Sequence, residues 1–156
     1  MTVDDARQRA LNWLKQGELS AAAIHQRLLS AGHDPSTCDA LINQLVANGT
    51  IDDARCAESL IRRWTHAGPI APGELRRRLH EKGVPPDVAA QATELANGND
   101  EITQAMEAAE RKMKSLGGLE PLVVARRLFG HLARRGYDEE TARAVLDRLG
   151  LAPADE

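Results

Sequence analysis

Aromatic side chains are scarce in this chain: Trp13, Trp64, Phe129 and Tyr137 make up 3% of its 156 residues. Strands draw on aromatic and β-branched residues, whereas the Ala, Leu, Arg and Glu that dominate here favour helices, so an all-α protein is expected. Cysteine is nearly absent too. Cys38 and Cys56 lie in different expected helices without CxxC spacing, which argues against a disulfide framework and for two reduced thiols. No stretch approaches the roughly 18 consecutive apolar residues of a membrane span. The opening MTVDDARQRALNW has acids where a secretory signal has bases before an apolar run. A soluble cytoplasmic protein is the expectation.

Also missing are a Walker loop, a dinucleotide fingerprint, a nucleophile arrangement and zinc-ligand spacing. The histidines are scattered: His25, His66 and His80 fall on polar faces or near helix ends, His33 follows a helix-ending glycine, and His131 stands beside a core position. His33 and Cys38 supply two metal ligands at most, too few for a structural zinc site. The carboxylate pairs Asp52 with Asp53 and Glu139 with Glu140 sit at helix starts, where the helix dipole explains them. The reading is a non-enzymatic protein with no cofactor and no metal.

What the chain does have is repetition. Gly32, Gly83 and Gly136 each end a helical pattern, with apolar residues eight and four positions earlier: Ile24 and Leu28, Leu75 and Leu79, Leu128 and Leu132. Residues four apart share a helix face, and a glycine past the last turn can take the left-handed conformation that satisfies orphan carbonyls. The glycines are 51 and 53 residues apart, a period that marks an array of supersecondary units. After each glycine comes a polar or proline-containing turn (HDPS, VPPD, YDEE) and another amphipathic run. These third helices have expected core stripes of Cys38, Leu41, Ile42 and Leu45; of Val88, Ala92 and Leu95; and of Ala142, Val145, Leu146 and Leu149. First helices precede the glycine sets, with Ala6, Ala10, Trp13 and Leu14; with Ala54, Ala57, Leu60, Ile61 and Trp64 behind a capping Asp52; and with Ile102, Ala105, Met106, Ala109, Met113 and Leu116. Three tandem three-helix repeats follow, at residues 1–50, 51–97 and 99–151. GPIAPG (68–73) and ANGND (96–100) read as linkers, and residues 154–156 as a frayed end.

Net charge is −3, so the total does not ask for a polyanionic partner, but placement is uneven. Residues 62–82 hold Arg62, Arg63, Arg76, Arg77, Arg78 and Lys82 against Glu74 and Glu81, a balance of +4. Residues 122–135 hold Arg126, Arg127, Arg134 and Arg135 with no acid, again +4. Either these are solvated faces, or they meet phosphates or an acidic protein groove, for which the planar guanidinium fork is suited. With so few aromatics, contact with nucleic acid is expected to be independent of base sequence.

The stretch IDDARCAESLIRRW followed by PGELRRRLHEKGV resembles the most characteristic part of the RecX family, proteins that regulate the RecA recombinase. There an Asp-Asp-x-Arg-Phe-Ala helix start precedes a Gly-Pro-x-x-Ile helix ending in Lys-Gly and an aliphatic residue. Asp52, Asp53, Arg55 and Ala57 match the first part; Pro72, Leu75, Leu79, Lys82, Gly83 and Val84 match the second. Cys56 stands where the family has Phe, and Ala71 where it has Gly. FGHLARRGYDEETARAVLDRL resembles the family's closing repeat and LSAAAIHQRLLSAGHD its opening one, so the match spans nearly the whole chain. The resemblance implies an elongated, curved array of three repeats, a monomer that lies in the groove of a RecA–DNA filament and limits its activity in recombination and repair. Two other readings of the same residues are a sequence-independent DNA-binding protein acting without RecA and a helical-repeat adaptor for another protein.

Overall fold

The computed structural model describes residues 2–98 and 100–151; residues 154–156, expected to fray, and Asn99 of the second linker lie outside the described residues. Among the described residues there are nine α-helices and no strand. They are α1 (Val3–Lys15), α2 (Ala21–Ser30), α3 (Pro35–Ala47), α4 (Asp53–Trp64), α5 (Pro72–Glu81), α6 (Pro86–Ala96), α7 (Glu101–Met113), α8 (Pro121–Arg134) and α9 (Glu139–Arg148).

Side-chain oxygens set most of the starts. Thr2 and Asp5 form a reciprocal capping box on α1; Asp34, Asp52, Asp100 and Asp138 each accept a backbone N–H from the residue three further on. The Asp100 and Asp138 carboxyls are held below their ordinary 3.8 by the backbone N–H groups of Thr103 and Thr141.

The second helices all end alike. Gly32, Gly83 and Gly136 have φ of +91°, +85° and +89°, and the N–H of the next residue reaches back to Leu28, Leu79 and Leu132 at 3.0–3.1 Å. This is the Schellman closure, which buries the residue after the glycine against the helix it ends. Val84 and Tyr137 suit that place. His33, only 5% exposed, does so less well, because its Nε2 has no hydrogen-bond partner among the described residues.

The chain divides into two compact units, one of Met1–Leu60 with Arg76–Ala92 and one of Ile61–Leu75 with Thr93–Glu156. In the first, α1, α2 and α3 pack mutually around Ala6, Ala10, Ile24, Leu28, Cys38 and Leu41. In the second, α7, α8 and α9 do the same around Ala105, Ala109, Leu128, Leu132, Val145 and Leu146. Small residues on α1 and α7 let the helices approach closely, and the aliphatics fill what remains.

A head-to-tail junction recurs in both units. In the first, Ser20, the cap of α2, accepts from Ala23 N–H and donates its hydroxyl to the Lys82 carbonyl at 2.7 Å. A Cβ on Gly83 would lie 2.8 Å from Ser20 Oγ and 3.0 Å from Ala22 Cβ. In the second, Ala71 N–H donates to the Arg135 carbonyl at 2.9 Å, and a Cβ on Gly136 would lie 2.3 Å from Glu74 Cβ. The glycine that ends one second helix thus seats against the first turn of an earlier one.

Two expectations need correction. The stripe on α6 is rotated: Ala89 and Thr93 are buried, Val88 and Ala92 half-buried, and Leu95 is 83% exposed. Position decides here over hydrophobicity, since Leu95 lies near the end of α6, about 140° around the helix from the side that Ala89 and Thr93 turn inward. GPIAPG is not a loose linker either. Gly68, Ile70 and Ala71 are buried, and α5 begins at Pro72 within it.

The junction predicts a graded glycine series. At Gly49, φ is +79° with nothing within 4 Å of an added Cβ, so Gly49→Ala meets backbone strain alone, about 1 kcal/mol. Gly136→Ala adds the collision with Glu74 and is expected to cost about 2 kcal/mol or more. Urea unfolding of the two variants checks this; equal destabilisation would mean that the Glu74 contact is easily relieved.

Candidate partner-binding surface

An arginine that reaches a partner must have its fork available, so the first question is which forks the fold itself uses. Arg55, in the Asp-Asp-x-Arg stretch, lies against Glu18 at 2.7 Å and donates to the carbonyls of Gly49 and Thr50 at 3.1–3.2 Å, closing the end of α3. Beside it, Asp53 accepts the Ala21 N–H at 2.8 Å, an orphan donor in the first turn of α2. This stretch therefore ties α4 to the end of α3 and the start of α2. Its residue types follow from orphan groups at helix ends.

Arg135 does the equivalent in the second unit. Its Nε donates to the Pro69 carbonyl at 2.7 Å and its Nη2 to the Gly68 carbonyl, while its own carbonyl takes the Ala71 N–H. Main chain and side chain of one residue thus hold the 68–71 segment. Sequence distance hides this, since the partners are 66 and 67 residues away.

The other basic residues divide by helix. On α5, Arg76 and Arg77 are exposed and Arg78 is half-buried, with the exposed Lys82 just past the helix end. Arg77 pairs with Glu81 one turn on, and Arg78 also has an interaction within the structure. Arg62 and Arg63 lie exposed on the last turn of α4. On α8, Arg126, Arg127 and Arg134 are exposed. Arg127 and Arg134, seven residues apart, recur on one side about two turns apart, with Arg126 about a quarter turn around the helix from them. The ten residues divide between the two units: Arg76, Arg77, Arg78 and Lys82 belong to the first and the rest to the second.

Near this face of α8, His131 is half-buried, and burial followed by the charges of Arg135, Lys112 and Arg134 holds its pKa below the ordinary 6.5. At neutral pH it adds no charge to the arginines. Sequence reading also missed Gln104, buried on α7, which donates to Asn97 Oδ1 and accepts from the Tyr137 hydroxyl at 3.4 Å. Burial pushes the Tyr137 hydroxyl up to about 12, so it stays a neutral donor. Among the described residues no group of three metal-ligating side chains occurs and no helix is long and apolar enough to cross a membrane.

Three comparisons agree with this architecture. A family model described as the third three-helix domain of RecX matches residues 99–146. The regulatory protein RecX of Prosthecochloris aestuarii is 33% identical over 144 residues, covering 92% of this chain and 93% of that one. The protein of the same name from Mycobacterium avium is 32% identical over 145 residues, covering 92% and 83%. In fold, the crystal structure of RecX from Lactobacillus salivarius superposes with a TM-score of 0.74 at 19% identity, over 96% of this chain and 97% of that one.

Two outcomes are expected. Arg135→Ala should destabilise the protein by about 2 kcal/mol, because it strands two carbonyls, whereas Arg127→Ala should change stability by less than about 0.5 kcal/mol; thermal unfolding of both tests the division. His131 should titrate by NMR with a midpoint below 6.5. Its unfolded form then binds the proton more readily, so this contribution to stability is present above 6.5 and lost as pH falls toward the folded midpoint. An NMR midpoint above 6.5 would sink it.

Proposed function

We propose, proceeding from the fact that this chain belongs to the RecX family, that it modulates the RecA recombinase by lying in the groove of the RecA–DNA filament and limiting its ATPase and strand exchange. The observation that carries the reading is similarity over nine-tenths of the chain to proteins named for regulation rather than for a reaction. Arginines at two second helices supply contacts to match. Repeats at 1–50, 51–97 and 99–151, read as an elongated curved array, give one monomer several places to touch successive RecA protomers. Weak contacts made together gain from high effective concentration, and a groove-bound rod obstructs duplex entry without any covalent step.

Within this reading, Arg62, Arg63, Arg76, Arg77, Arg78, Lys82, Arg126, Arg127 and Arg134 face the filament and its single- or double-stranded DNA without base specificity. Arg135 acts by holding the 68–71 segment that precedes α5. A second reading, DNA binding without RecA, draws on the same exposed arginines and is separated by affinity for bare DNA.

The test is RecA ATPase on single-stranded DNA, with filament affinity measured across a salt series. Wild-type protein should lower the ATPase and bind the filament more tightly than bare DNA. Replacing Arg126, Arg127 and Arg134 together by Ala should weaken filament binding and flatten its log-log salt slope by about 0.7 for each phosphate no longer neutralised. Equal inhibition by the folded triple variant would mean that the partner meets another surface, and equal affinity for bare DNA would favour the second reading.

A further inference from the structure

Helix α8 is one turn longer than its counterparts, 14 residues against 10 in both α2 and α5, and the added turn is at its start. That turn carries Leu122, which is 60% exposed, just after Leu119, which is 39% exposed. Leu122, Ala125, Arg126 and Phe129, with Leu146 of α9, line a shallow cavity of about 220 Å³. The lining has one charge, the Arg126 guanidinium, and no acid.

The fold does not require this composition. Counted back 14, 10 and 7 residues from the helix-ending glycine, the third repeat has Leu122, Arg126 and Phe129. The same offsets give Pro69, Gly73 and Arg76 before Gly83, and Glu18, Ala22 and His25 before Gly32. Neither of the other two repeats has a leucine at the first of those places, an arginine at the second or a phenylalanine at the third.

The chemistry of the lining selects the kind of occupant. A phosphate would use Arg126 but gain nothing from an adjoining Leu122, and a base needs a π face that leucine lacks. An apolar side chain removes Leu122 from water and fills the space beside Phe129, and a carboxylate on the same segment can take both arms of the Arg126 fork. We propose that this cavity is a docking site for an acidic, apolar segment of a protein partner, whose apolar side chain enters beside Leu122 and Phe129 while a neighbouring carboxylate meets Arg126. This deepens the proposed function, because Arg126 belongs to the surface assigned to the filament. It moves the α8 start from contact with DNA to contact with protein.

Isotope-labelled full-length protein is titrated by NMR with three probes: a synthetic helical peptide with leucines four apart and glutamates between them, the same peptide with lysines for glutamates, and single-stranded oligothymidine. The acidic peptide should shift the amides of Leu122, Ala125, Arg126 and Phe129, and the lysine peptide should bind about tenfold or more weakly. Leu122→Asp, at an exposed position that leaves the core intact, should weaken the acidic peptide by about tenfold or more, and Arg126→Glu likewise. Shifts elsewhere, equal binding of the lysine peptide, oligothymidine moving the same amides, or a concentration-dependent change there in the protein alone would each overturn the proposal, the last two assigning the cavity to nucleic acid or to a second copy. If the acidic peptide docks as stated but wild-type protein leaves the RecA ATPase untouched, the docking site stands and the RecA reading fails. If the ATPase is inhibited equally by wild type and Leu122→Asp, and the peptide does not dock, the reverse holds.

Discussion

At Gly83 and Gly136 two separate demands fall on one missing Cβ. Each residue turns the chain out of a second helix with φ near +90°, and each lies so close to the first turn of an earlier second helix that a side chain would overlap it. Either demand alone favours glycine; together they fix the length of the helix that ends there and the place where its end must sit. The hydrogen bonds follow from the contact. Only with the glycine seated can the Lys82 carbonyl meet the Ser20 hydroxyl, or the Arg135 carbonyl the Ala71 N–H. Orphan groups at one helix's end are thus paired with donors at another's start, and neither is left buried without a partner.

The arginines divide under the same requirement. A C-terminal helix end has carbonyls to satisfy and a negative pole, and a guanidinium can donate to two carbonyls at once. Arg55 at the end of α3 and Arg135 before the 68–71 segment are used in this way, which fixes their rotamers and removes their forks from any partner. Arg126, Arg127 and Arg134 on α8 stay exposed at the surface. A charge census along the chain gives all these arginines the same weight. Hydrogen bonding separates them.

This explains which parts of the fold are legible in the sequence. Features that depend on near neighbours are readable: the three glycines, the aspartate caps, and the Cys38–Leu41–Ile42–Leu45 and Ala142–Val145–Leu146 stripes all express helical periodicity within a dozen residues. The RecX resemblance extends them to the order of the whole chain. What is not readable depends on distant partners. The segment 68–71 looks like a linker until Arg135 is placed beside it; Gln104 looks like a surface residue until Tyr137 and Asn97 surround it; and the α6 stripe is misphased because neighbouring helices, not the residues' own hydrophobicity, decide which side of α6 is inside. The candidate surface is only partly readable for the same reason, since its basic residues can be counted from the sequence while the use of each fork cannot.

Charge distribution then bears on selectivity. Two windows of +4 in a chain of net −3 leave −11 for the rest, including Asp138, Glu139, Glu140 and Asp147 on and beside α9. Attraction and repulsion of this kind are screened over about 8 Å at physiological salt, so a polyanion feels mainly the face it touches. Under the proposed function, bare DNA, free to approach from any side, would sample the acidic remainder as well as the arginines and be held weakly. A filament that presents its phosphates in a groove, and engages a protein contact such as the Leu122 cavity at the same time, would select the orientation in which the arginines face inward. Under the proposed function the negative total would be a means of discrimination: it would suppress adsorption to free nucleic acid while leaving the local attraction that a shaped, protein-coated polyanion can use.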